Sequence, residues 1–173
     1  MGITGIAYFP QFINNPSACF AKIITDTVWD NSMQSRKTAS YGIAYNYSQI
    51  TYPDTVMPDY IGEICEQIAQ KLAFLPNNCL INWYENGKGR MGFHSDQTDI
   101  LADNTGVAIV SLGTERLLTF RKIGDNSQQT AFLLENGSLF YMNQTVQACW
   151  QHAILADESE LPRISLTFRQ IRQ

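Results

Sequence analysis

The sequence predicts a mostly β, α+β chain in which flanking helices lean on an antiparallel sandwich or jelly roll. Three observations predict it. After residue 78 the apolar residues fall in short runs rich in β-branched and aromatic side chains: "CLINWY", "GVAIVSL", "RLLTFRKI", "TAFLL", "SLFYM", "WQHAIL" and "RISLTFRQI". Turn-forming stretches ("ENGKG", "ADNTG", "GDNS", "ENG") separate the runs and leave no room for a helix between them. Before residue 78 the apolar period is helical instead.

In chain order, "NNPSACFAKIITDTVW" opens with a proline near a helix start and places Phe20, Ile23 and Ile24 on one side. "MPDYIGEICEQIAQKLAFL" is the stronger helix, with Ile61, Ile64, Cys65, Ile68 and Leu72 at helical spacing. Both stripes are expected to be core contacts. At 173 residues the chain is expected to be one domain. Within it, residues 1–78 form a helical, strand-mixed part and residues 79–173 the jelly-roll core.

The charged fraction is low, at 16%, and the apolar fraction is ordinary, which excludes disorder. Four cysteines without a CxxC pair are expected to be buried, reduced thiols, not a disulfide framework or a zinc site. No apolar run reaches the length of a membrane span and no signal pattern opens the chain, so a soluble, cytoplasmic monomer with no membrane contact is expected. The net charge of −4 speaks against a dedicated duplex binder. Basic residues cluster only locally, in "SRKTASYG" and "TFRKIG".

The chain has two histidines. His94 stands two residues before Asp96 in "GFHSDQTDIL", and His152 lies in "CWQHAIL". If "MGFHSD" is extended, His94 and Asp96 project to one face. Two imidazoles and one carboxylate are the composition of a facial triad, which holds iron(II) and leaves positions open for a bidentate oxoacid and dioxygen. The competing reading is a satisfied polar pair in a strand or turn. In "PRISLTFRQI", Arg163, Ser165, Thr167 and Arg169 alternate onto one face. Turned inward, two arginines need anionic partners such as a dicarboxylate. Turned outward, they would mark a solvated edge strand.

These segments carry a family likeness. "NWY", "GFHSD", "VSLGTER" with "TFRK", "ENGSLFYMNQTVQACWQH" and "PRISLTFR" follow one another in the order of the AlkB family of Fe(II)/2-oxoglutarate-dependent dioxygenases. The chain resembles most its nucleic-acid oxidative demethylase branch, over about residues 35–171. "SRKTASYG" and "AYNYS" look like that branch's substrate-facing segment. The resemblance implies a double-stranded β-helix (jelly roll) with Fe(II), 2-oxoglutarate and O2 as cofactor and cosubstrates. It makes His94, Asp96 and His152 the catalytic iron ligands. It implies that Asn82, Tyr84, Arg163, Ser165 and Arg169 bind 2-oxoglutarate, with Arg169 on the distal carboxylate and Arg163 nearer the iron. Tyr45, Tyr47, Arg36, Thr98 and Asp99 would face the substrate.

Two positions depart from the family pattern. Ser165 stands where the family's RxNxTxR motif has asparagine, and Thr98, followed by Asp99, stands where the branch often has glutamate. The implied partner is alkylated single-stranded or duplex nucleic acid. A small-molecule or amino-acid hydroxylase is the alternative within the same chemistry, and a non-catalytic binding module the alternative outside it. Trp29 is read as a core anchor at a helix end, with a base-displacing wedge as the other role open to it.

Overall fold

The computed structural model describes residues 2–47 and 50–173, and of Tyr47 the backbone only. Among these residues the chain begins with β1 (Ile6–Phe9), α1 (Pro16–Asp26), β2 (Lys37–Gly42), β3 (Tyr45–Tyr47), β4 (Ile50–Tyr52) and α2 (Asp59–Leu72). It continues through β5 (Asn78–Tyr84), β6 (Met91–His94), β7 (Gly106–Gly113), β8 (Arg116–Lys122) and β9 (Asp125–Leu134). It closes with β10 (Ser138–Asn143), α3 (Gln144–Cys149), β11 (Trp150–Ile154) and β12 (Arg163–Arg169).

The strands form a six-stranded antiparallel sheet, β1-β10-β7-β12-β5-β2, facing a four-stranded one, β6-β11-β8-β9, with β3 and β4 as a separate hairpin. This is the jelly roll the sequence predicts, covered on the outer face of its larger sheet by α1 and α2. The helices bury Ile23, Ile61, Ile64, Cys65 and Ile68 against Cys79, Ile81, Val110, Leu166 and Phe168. A second cluster, including Ile109, Leu118, Phe120, Leu134, Phe140 and Ile154, fills the space between the sheets. α1 starts where the sequence places it: Asn15 accepts the amide of Ala18 at 3.2 Å and Pro16 follows in the first turn.

β12 decides the open question about its arginines. It lies in the middle of the larger sheet, between β7 and β5, and all seven of its residues are buried. Ile164, Leu166 and Phe168 face the helices. By the two-residue period of a strand, Arg163, Ser165, Thr167 and Arg169 then face the space between the sheets. The solvated edge strand is thereby excluded.

The structure differs from expectation at several places. The larger sheet draws its two outer strands, β1 and β2, from residues 1–78, so that part is woven into the β core. α3 replaces an expected connection between two strands; six residues are too few to show a helical period, and Asn143 caps it by accepting the amide of Val146 at 3.1 Å. The four free cysteines are not uniformly buried: Cys65 and Cys79 are, Cys19 is half-buried and Cys149 is exposed at the end of α3. No helix among the described residues is long and apolar enough to cross a membrane.

Candidate metal centre and cosubstrate channel

β6 and β11 pair antiparallel with His94 directly opposite His152. The two imidazole rings stand 4.4 Å apart between centroids. Asp96 joins them by a different route from the one the sequence suggests. β6 ends at His94, so strand alternation does not orient Asp96. Its backbone N–H instead donates to Gln147 Oε1 at 2.8 Å, and Ser95 Oγ donates to the carbonyl of Trp150 at 3.0 Å. The Asp96 carboxylate then lies 3.4 Å from His152 Nε2 on one oxygen and accepts from Arg169 Nη2 at 2.6 Å on the other. One ligand atom from each of His94, Asp96 and His152 falls within 4.8 Å of the others.

The donor set fits a divalent metal. Nδ1 of His94 lies 2.9 Å from the carbonyl of Gly92. A carbonyl only accepts, so this nitrogen carries the proton and Nε2 keeps its lone pair for a metal. Burial, and then the proximity of His152, hold His94 below its ordinary value against the opposing pull of Asp96, which favours the neutral, ligating form. Burial alone would raise Asp96, but the Arg169 guanidinium and the bond from His152 outweigh it and hold the carboxyl well below the usual range. A neutral imidazole and an ionised carboxylate are the forms a metal needs.

From this centre a channel runs between the sheets along β12 and β5. Its lining includes Asn82, Tyr84, Ser165, Thr167, Arg163 and Arg169, with Met91, Leu118 and Ile154 among its apolar walls. The resemblance implies that Arg163 is the arginine nearer the metal; in the structure Arg169 is the nearer one. Arg169 is bonded to Asp96, whereas Arg163 sits six residues earlier, opposite Tyr84 in β5. Six strand steps separate the two Cα atoms by about 20 Å, so only the C-terminal arginine reaches the triad.

The channel holds buried donors that lack an acceptor. Arg163, 1% exposed, donates from Nη2 to Ser111 Oγ at 2.9 Å, while its Nε and Nη1 have no hydrogen-bond partner among the described residues. Burial lowers this guanidinium to about 10, and the nearby Tyr84 opposes the shift. It remains a cation at neutral pH. Arg36 donates from Nε to Asn82 Oδ1 at 2.9 Å, which leaves the buried Asn82 Nδ2 without an acceptor among the described residues. Such groups are costly to bury unless a ligand satisfies them. A dicarboxylate would do so.

The substrate-facing candidates separate in space. Tyr45 is buried with its ring 4.5 Å from the Arg169 guanidinium carbon, at the metal end. The side chain of Tyr47 lies outside the described residues. Arg36 is not at a mouth: it is 9% exposed and bonded to Asn82, Ser35 and the carbonyl of Arg90, which places it behind the channel. Thr98 and Asp99 follow the triad in an irregular segment, and Asp99 is exposed. Trp29 meets Trp83 in a tilted ring contact at 5.1 Å and packs against the helix-side core, as an anchor does.

Sequence reasoning missed two groups. Gln147 reaches the triad from α3. Arg116, 1% exposed, stands beside Tyr84. Its Nη2 donates to the carbonyls of Leu155 and Gly89 at 2.7 and 2.9 Å, and its Nε pairs with Asp157 at 2.8 Å. Its guanidinium carbon also stands 5.7 Å from the ring centre of Tyr84. Arg116→Leu is expected to destabilise the fold by about 3 kcal/mol, mostly from orphaned carbonyls, since Asp157 is half-exposed. Urea denaturation checks it, and metal affinity should not change.

A jelly roll that converges two imidazoles and a carboxylate, with an arginine-lined channel beside them, defines a non-haem iron oxygenase. The family model described as the 2OG-Fe(II) oxygenase superfamily matches residues 21–169. The chain belongs to that superfamily, among its AlkB homologues. Similar proteins include "Alpha-ketoglutarate-dependent dioxygenase alkB homolog 3" of Bos taurus, 30% identical over 98% of this chain and 67% of that protein. "DNA oxidative demethylase ALKBH2" of Homo sapiens is 31% identical over 79% of this chain and 56% of that protein. The solved structure of OsALKBH1 superposes with a TM-score of 0.70 at 16% identity, covering 98% of both chains, a likeness of fold. Fe(II) and 2-oxoglutarate are the cofactor and cosubstrate of this superfamily, and the donor set and channel fit both.

Proposed function

We propose that this chain is an oxidative demethylase of N-alkylated nucleobases in DNA or RNA, with His94, Asp96 and His152 as its iron ligands. Iron(II) held by these residues supplies the activation of dioxygen, by which 2-oxoglutarate becomes succinate and carbon dioxide while a substrate C–H bond becomes C–OH. A hydroxymethyl group on a base nitrogen then leaves as formaldehyde and restores the base. Arg163 and Tyr84 hold the far carboxylate of the cosubstrate, Arg169 serves the end near the metal, and Asn82, opposite Ser165, lies between them. The apolar walls keep water from the reacting atoms.

The observation that carries the oxygenase reading is the set of buried donors without acceptors, in line with the three converging ligand atoms. The nucleobase reading is supported by Tyr45, an aromatic ring beside Arg169, and by relatives whose names include a DNA oxidative demethylase. Net charge −4 favours single strands, where no base has to leave a duplex stack at a cost of a few kcal/mol.

The test incubates the protein with iron(II), 2-oxoglutarate and an oligonucleotide bearing N1-methyladenine or N3-methylcytosine, single-stranded or duplex, and measures formaldehyde and succinate. Formaldehyde from the methylated strand alone is expected. Succinate without formaldehyde would favour the hydroxylase of a small molecule or amino acid, a reading the acidic chain and exposed Asp99 suit. Neither product would leave a non-catalytic binding module.

A further inference from the structure

We infer that Gln147 is a positioning residue for the metal centre: α3 acts as a splint that sets the Asp96 carboxylate through its backbone. The inference rests on reading His94, Asp96 and His152 as metal ligands. The two histidines face each other within a strand ladder, which fixes their Cα positions. Asp96 has no such support, because β6 stops two residues before it. Its N–H is held instead by Gln147 Oε1 at 2.8 Å. Gln147 is 3% exposed, and the other end of its amide donates to Met142 Sδ at 3.6 Å. A thioether only accepts and an amide N–H only donates, so these two partners dictate which way the side-chain amide points.

α3 grips the same segment at further points. Ser95 Oγ donates to the carbonyl of Trp150, where α3 passes into β11. Gln144 Nε2 donates to the carbonyls of Ala102 and Thr105, at 3.1 and 3.0 Å. The segment from His94 to β7 is thus pinned to α3, and α3 leads directly into the strand that carries His152. The helix fixes the distance between the aspartate and the second histidine, which no ladder bond sets.

Cobalt(II) binding tests this without turnover. The unaltered protein, Gln147→Met and Gln147→Glu are titrated with cobalt(II) chloride, following the visible d–d bands with and without 2-oxoglutarate, and their thermal midpoints are measured. Gln147→Met keeps the volume and removes the acceptor; cobalt affinity is expected to fall about 10- to 100-fold, with altered bands. Gln147→Glu keeps an acceptor oxygen for the Asp96 N–H and should bind within about threefold of the unaltered protein. Unchanged affinity and bands in Gln147→Met would overturn the inference. Equal weakening in both variants would also overturn it, since the hydrogen bond would not be the cause. If Gln147→Met does not fold, Ser95→Ala must weaken cobalt binding by about threefold or more, and unchanged binding sinks the splint. Failure of the unaltered protein itself to bind cobalt would refute the metal-ligand reading, a separate result.

Discussion

Asp96→Ala is expected to reduce 2-oxoglutarate turnover to background and to lower the stability of the metal-free fold by about 3–5 kcal/mol. The first effect follows from losing the sole carboxylate of the ligand set. The second follows from the pair it leaves: Asp96 and Arg169 have side chains 6% and 2% exposed, and their bond is 2.6 Å long. Removing the carboxylate leaves a buried guanidinium without that counter-charge. The pH dependence has a definite sign. The folded protein holds Asp96 below its ordinary value of 3.8, so the unfolded chain binds its proton first as pH falls. The stabilisation is fully present above that value and is lost as pH drops through the depressed one. Urea denaturation of both proteins should therefore show a large gap at neutral pH that narrows in strong acid. A constant gap would mean that packing, not charge, sets the difference.

Arg163→Met should separate binding from stability, with opposite signs. A charge-assisted hydrogen bond to a carboxylate contributes about 1.5–3 kcal/mol, so the KM for 2-oxoglutarate should rise roughly 10- to 150-fold. The fold loses the 2.9 Å bond to Ser111 Oγ and is relieved of a buried cation. Burial disfavours the Arg163 cation, and its Nε and Nη1 have no hydrogen-bond partner among the described residues. A flexible thioether of similar length removes that cost, and the cosubstrate-free variant should match or exceed the parent in thermal midpoint. Steady-state kinetics and a melting curve decide it. A raised KM accompanied by a lower midpoint would show that Arg163 supports the fold.

The readable and unreadable parts of this molecule divide along a physical line. The β runs were legible because burial between two sheets demands β-branched and aromatic residues, and because turns demand glycine and asparagine. His94, Asp96 and His152 could be nominated because the chain has two histidines and one lies two residues from a carboxylate. Arg163 and Arg169 stood out by strand alternation, yet their order along the channel did not. That order depends on which end of β12 meets the β6–β11 pair, a matter of register. Arg36 is a substrate-facing candidate only through the likeness of "SRKTASYG" to the demethylase branch; its bond to Asn82 spans 46 residues of chain and is invisible in the sequence. Gln147 gave no signal, since a six-residue helix has no period to read and its partner is a backbone amide far away in sequence.

β12 serves two masters: its even residues anchor the helices, and its odd residues floor the channel. One backbone therefore carries both the helix-side core of that layer and the lining of the channel. Drift on either side would disturb the other, which makes this floor a poor place to evolve new chemistry. The β3–β4 hairpin and the residues after the triad stand outside that sheet and carry no such double duty.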